Sequence, residues 1–124
     1  MSFKNKIIPK PWGHEFLMYE NDDVGLWILH LNPEQQTSMH CHTEKTTGLV
    51  VLDGEILLSF ISDNILLKKG QKRMIRRGLF HSSKNVSSNK SIMLEIETPK
   101  NKTDLVRLHD SYGRELTSYE SSYI

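Results

Sequence analysis

His40, His42 and His81 are the residues of this chain whose types and spacing point most directly to chemistry. In Ser38-Met39-His40-Cys41-His42 the two imidazoles are one residue apart. Side chains alternate faces along an extended strand, so His40 and His42 share one face while Met39 and Cys41 share the other. Two nitrogens are too few to hold a divalent ion firmly. A catalytic site usually takes three protein ligands and leaves a position open for water or substrate. His81 is the candidate third ligand, because it follows Gly78-Leu79-Phe80 at the start of a later strand, where a tight turn can bring it across a barrel interior.

The segments that must position these rings are short and β-rich. Val, Ile and Leu dominate runs at residues 15–19, 26–31, 38–42, 49–52, 55–61, 65–68, 73–76 and 91–98, as half-buried pleated surfaces favour. Regular turns separate them, which is the spacing of a sandwich or barrel. Asp53-Gly54 lies between two apolar runs and predicts a hairpin, since a type I′ turn needs positive φ at both central residues. Asp63-Asn64 and Lys69-Gly70 mark the next turns. The expected fold class is all-β. After Pro99 the chain turns polar, with Leu105, Val106 and Leu108 suited to one helical turn or an extended arm, and the last ten residues are expected to be disordered.

With 124 residues, one domain and one core are expected. A formal charge of +1 gives no electrostatic footprint for nucleic acid. No stretch approaches the roughly 20 apolar residues of a membrane span, and the N-terminal residues lack the apolar run of a signal peptide. The single cysteine, Cys41, excludes an intramolecular disulfide. A cytoplasmic location follows as the expectation.

The stretch from His40 to Gly54 resembles the first cupin motif, G-x5-H-x-H-x(3,4)-E-x6-G, and Gly70, Gly78, His81 and Asn85 fall at the positions of the second, G-x5-P-x-G-x2-H-x3-N. The chain departs from these motifs at Thr47, where the acidic ligand belongs, at Arg76, where proline belongs, and in lacking the opening glycine. The ends narrow the resemblance. Lys10-Pro11-Trp12-Gly13 looks like the opening of the cupin domain of type II mannose-6-phosphate isomerases, and Leu94-Glu95-Ile96 resembles the strand before its ending. Asp104-Leu105-Val106-Arg107-Leu108 and Asp110-Ser111-Tyr112-Gly113-Arg114 are similar to that ending, D-I-V-R-x-x-D-x-Y-G-R. At the centre the family's acid and tryptophan are replaced by Thr47 and Gly48.

The resemblance implies a single-domain cupin, a double-stranded β-helix or jelly-roll barrel, over residues 1–115 with a tail at 116–124. It implies a divalent ion (zinc, iron, manganese or nickel) on His40, His42 and His81. With Thr47 in the acid's place, three ligand sets stand open: three histidines plus water, a site completed by Glu44, or a lost site; the first is preferred. The implied reaction is aldose-ketose isomerisation of a sugar phosphate, in which a proton moves between adjacent carbons. Glu95 and Glu97 share a strand face and are the candidate bases once burial raises a carboxyl's affinity for its proton. Arg76 suits phosphate by its guanidinium fork, while Lys10 and Arg114 are phosphate candidates by family position. His30, on a strand face with Leu26 and Ile28, is a further candidate for ligand contact. Trp12 and Tyr112 are expected to clamp the chain ends to the barrel. Two other readings remain: a three-histidine iron dioxygenase, and a non-catalytic module that binds a sugar or nucleotide sugar. The expected partners are a small-molecule sugar phosphate or nucleotide sugar and a second copy of the chain, with nucleic acid and membrane excluded.

Overall fold

The computed structural model describes residues 5–101 and 104–113. Among these there are eleven strands and no helix: β1 Ile7–Lys10, β2 Gly13–Glu20, β3 Gly25–Leu31, β4 Met39–Cys41, β5 Thr46–Asp53, β6 Glu55–Ser59, β7 Asn64–Lys68, β8 Lys72–Ile75, β9 Ser82–Asn85, β10 Ser91–Thr98 and β11 Val106–His109. Among the described residues no helix is long and apolar enough to cross a membrane.

Six strands form one antiparallel sheet in the order β1-β2-β3-β10-β5-β8. The facing layer consists of β7-β6-β9 and β11-β4, joined by isolated bridges from His40 to His81 and from Gln36 to Lys84. From β3 onward the chain passes back and forth between the two layers, except at the β6-β7 hairpin, as a double-stranded β-helix requires. The Asp53-Gly54 turn links the layers by leading β5 into β6. Gly54 has a φ of +85°, and a side chain there would collide with Ser91, so glycine is required on both counts.

Register settles which residues face inward, because directly opposed residues lie on one face of a sheet. Glu15, Leu29, Met93 and Val51 form one row; Leu17, Trp27, Glu95, Leu49 and Arg73 form the next; Gly25, Glu97, Thr47 and Ile75 form a third. The inner members Trp27, Leu29, Leu49, Val51, Ile75 and Met93 join Ile8, Trp12, Leu31, Ile56, Leu58 and Leu67 in the core, with Tyr112 packed against it. Burial of this apolar area is the main favourable contribution, at roughly 25 cal/mol per Å². Glu15, Glu95, Glu97 and Thr47 therefore place polar atoms on a face that is otherwise largely apolar.

Asn85 is fully buried and holds the turn after β9. Its Nδ2 donates to the carbonyls of Leu31 and Asn89, while its Oδ1 accepts from the Ser87 amide and the Ser87 and Ser91 hydroxyls. The segment around Leu105 and Val106 is an extended arm rather than a helical turn, because residues 106–109 pair with β4. The expected disorder of the last ten residues, and Arg114, lie outside the described residues.

Candidate metal centre

His40 and His81 are direct cross-strand partners. His40 N–H donates to the His81 carbonyl at 3.0 Å and His81 N–H to the His40 carbonyl at 2.8 Å. This reciprocal pair sends both side chains to one face, and His42, two residues on, joins them. Ring centroids are 4.6 Å apart for His40 and His81, 5.0 Å for His40 and His42, and 5.5 Å for His42 and His81. All three residues are buried, and their ligand-capable nitrogens lie within 4.8 Å of one another.

Each ring is oriented by a backbone carbonyl. Nδ1 of His40 donates to Ser38 O at 2.7 Å, Nδ1 of His42 to Asp104 O at 2.7 Å, and Nδ1 of His81 to Leu79 O at 2.9 Å. A carbonyl oxygen only accepts, so the ring proton of each imidazole sits on Nδ1 and Nε2 keeps its lone pair. Carbonyls behind metal-binding imidazoles fix tautomer and angle in this way. Burial, reinforced by the neighbouring His81 and His42 rings, holds His40 well below the usual imidazole range, so it is neutral near pH 7. Three buried imidazoles, pre-oriented with Nδ1 on a carbonyl, form a donor set that fits zinc or a neighbouring first-row divalent ion.

The carboxylate of Asp104 accepts from the amide and hydroxyl of Thr43 and from the amides of Glu44 and Lys45. Burial works against its ionised form, but these four hydrogen bonds outweigh it and hold the carboxyl below its ordinary range. Thr47, at the position of the motif's acid, is 1% exposed, and its hydroxyl has no hydrogen-bond partner among the described residues. Glu44 is exposed and its amide binds Asp104.

A cleft of about 40 Å³ opens beside His40, lined among others by Lys10, Glu15, Glu95 and Arg107. Arg107 on β11 is the register partner of His40, and Lys10 ends β1. Glu95 and Glu97, though on one face, have different surroundings. Glu97 is buried, accepts from Trp27 Nε1 at 3.0 Å and pairs with Lys45 Nζ at 2.7 Å; Lys45 Nζ also donates to Asn101 O.

Two sequence candidates lie elsewhere. His30 is on the outer face of β3, stacked on His14 at 4.5 Å between centroids, with Leu29 and Leu31 in the core on the other face. Arg76 is exposed and lines a larger groove that none of the three histidines lines. Glu15 and Arg107, which line the cleft, were not singled out from sequence. An acid within an alternating apolar strand, and an arginine in an apparently polar tail, were the available signals.

Residues 3–110 match the mannose-6-phosphate isomerase C-terminal family. A mannose-1-phosphate guanylyltransferase from Klebsiella pneumoniae is 25% identical over 113 residues, covering 90% of this chain and 24% of that protein; the chain spans about a quarter of that relative. A conserved protein with a double-stranded β-helix domain from Klebsiella pneumoniae subsp. pneumoniae MGH 78578 superimposes with a TM-score of 0.70 at 18% identity, covering 89% of this chain and 90% of that one. A cupin-superfamily sugar phosphate isomerase from Silicibacter pomeroyi DSS-3 gives a TM-score of 0.68 at 16% identity, covering 76% of this chain and 64% of that one. At such identities these structures speak for the fold, which is that of a cupin. The match, which spans all eleven described strands, places this chain in the mannose-6-phosphate isomerase C-terminal family.

Proposed function

We propose that the chain is a metal-dependent isomerase that interconverts the aldose and ketose forms of a sugar phosphate. The observation that carries this reading is the convergence of His40, His42 and His81, each with Nδ1 on a backbone carbonyl, beside a cleft lined by carboxyl and cationic groups. A divalent ion on the three Nε2 atoms would polarise the substrate carbonyl and stabilise developing oxyanion charge.

The remaining roles fall to this chain's own side chains. Glu95, in the cleft with His40, takes the proton from C2 of the aldose and returns it to C1. Glu15, the second carboxyl of the cleft, moves the hydroxyl proton from O2 to O1, so no atom is gained or lost. Lys10 and Arg107 counter the negative charge of the enediol-like intermediate. Glu97, held by Lys45 and Trp27, is assigned a structural role. About 40 Å³ admits only the carbonyl end of a sugar, leaving the phosphate outside. Family membership and the isomerase name of the Silicibacter structure support the substrate class.

Incubation of metal-replete protein with a panel of sugar phosphates in deuterated water tests this. Deuterium should appear at the carbon next to the carbonyl, and Glu95→Gln should slow its appearance by roughly 100-fold or more. Saturable binding with no exchange for any sugar phosphate would leave a sugar-binding module instead, a reading that the missing acid at Thr47 favours.

A further inference from the structure

A second cavity among the described residues shares no lining residue with the cleft beside His40. It is a groove of about 570 Å³. One wall is the turn from β6 to β7, closed by Phe60 N–H donating to the Asp63 carbonyl at 2.8 Å, and carries Phe60, Ile61 and Asp63. The other is made by Arg73 and Met74 of β8 and by the following turn with Arg76 and Phe80.

Its chemistry is mixed in a particular way. The Arg73 guanidinium lies over the Phe60 ring, 5.5 Å from the centroid. A guanidinium held over a ring face in this way keeps N–H donors available to a ligand. Arg76 is a second exposed cation, and among the described residues neither arginine forms an ion pair. Two unneutralised guanidiniums in one groove call for an anion, and the fork geometry suits phosphate oxygens. Bare phosphate would leave most of the groove empty and would not cover Ile61 and Met74, which are 69% and 61% exposed. Asp63 adds an acceptor where hydroxyl groups, rather than more phosphate, are accommodated.

We propose that this groove is a second ligand site that takes a nucleotide-like molecule: a phosphate ester bearing hydroxyl groups and a flat ring. Arg73 and Arg76 hold the phosphate, Asp63 accepts from hydroxyl groups, and the ring covers the apolar walls. The groove also adjoins the histidine cluster through the backbone, since Gly78 N–H donates to the His42 carbonyl and the Leu79 carbonyl accepts from His81 Nδ1. The inference does not depend on the isomerase reading, which concerns the cleft.

The test is amide NMR titration of the whole chain, with chelator present, using ADP, adenosine and inorganic phosphate as probes. ADP should shift the amides of residues 60–63 and 73–80, leave those of Lys10, Glu15 and Glu95 unmoved, and bind at least tenfold more tightly than either other probe. Arg73→Gln and Arg76→Gln, both at exposed positions, should each weaken ADP at least tenfold. The proposal is overturned if ADP gives no saturable shift, if it binds no better than phosphate, or if its shifts centre on the cleft. The comparison of probes on the unmodified chain decides the matter without any variant.

Discussion

Nδ1 of His42 donates at 2.7 Å to the backbone carbonyl of Asp104, 62 residues away in sequence. The same residue's carboxylate gathers the amides of residues 43–45. Asp104 therefore acts twice, orienting one imidazole and clamping the C-terminal arm to the loop after the histidine pair. Asp104→Ala should lower the unfolding free energy of the metal-free protein by about 2–4 kcal/mol, less than four independent hydrogen bonds to a charged group at about 1.5–3 kcal/mol each, because Thr43 and Glu44 are exposed and their freed donors turn to water. Metal affinity should fall by less than the roughly 10–100-fold that follows loss of an outer-shell partner, because the backbone carbonyl that holds His42 survives the substitution. The folded-state pKa of Asp104 lies below its unfolded value, so its stabilisation is present above the ordinary carboxylate range and is lost as pH falls through the folded value. Denaturation curves at several acidic pH values should show a shallower decline in the variant.

Lys45 and Glu97 form a pair with side chains 0% and 3% exposed. Removing one partner strands the other's charge in the core, so Lys45→Met and Glu97→Gln should each cost about 3–5 kcal/mol. The double variant should cost much less than the sum. Additive losses in urea denaturation would show that the two residues do not act as a pair.

The hydroxyl of Thr47 has no partner among the described residues, so its removal forfeits no hydrogen bond. Thr47→Val should leave metal affinity within roughly threefold and stability unchanged or raised by up to about 1 kcal/mol. A loss of tenfold or more in metal titration would make this hydroxyl a ligand and revise the donor set.

His30 and His14 stack on the outer sheet face. Burial, then the His14 ring and Lys90, holds His30 below the usual imidazole range; burial and Lys90 do the same for His14. A lowered folded-state pKa contributes stability above about pH 6.5 that is lost as pH falls through the folded value. His30→Phe keeps a stacked ring without the charge, and should flatten the fall in Tm between about pH 8 and 5. An unchanged slope would mean that this pair does not titrate on unfolding.

Much of this architecture was legible from residue order. The apolar runs of β3, β5, β6, β7 and β10 announced themselves by composition, and the turn at Asp53-Gly54 by its chemistry; it carries the chain from one layer to the other instead of closing the expected hairpin, because β5 pairs with β10 and β8 while β6 pairs with β7 and β9. His40 and His42 declared a common face through the two-residue period, and His81 followed from its spacing after Gly78. Other features are tertiary. β1 is an edge strand interrupted in appearance by Pro9, and β11 looks like a polar tail until it pairs with β4. Arg107 becomes a neighbour of His40 only through that pairing. The different environments of Glu95 and Glu97 depend on Lys45 and Trp27, which no local pattern links to β10.

The central claim is that three Nε2 atoms, freed by carbonyls behind Nδ1, form one metal site. Nitrogen-15 NMR of the histidine rings during zinc titration tests it most directly. The prediction is saturation at one equivalent, with the Nε2 signals of His40, His42 and His81 shifted and their Nδ1 protons retained. Zinc that fails to saturate near one equivalent, or that moves Nδ1 of these rings or the signals of His14 and His30 instead, would contradict the account.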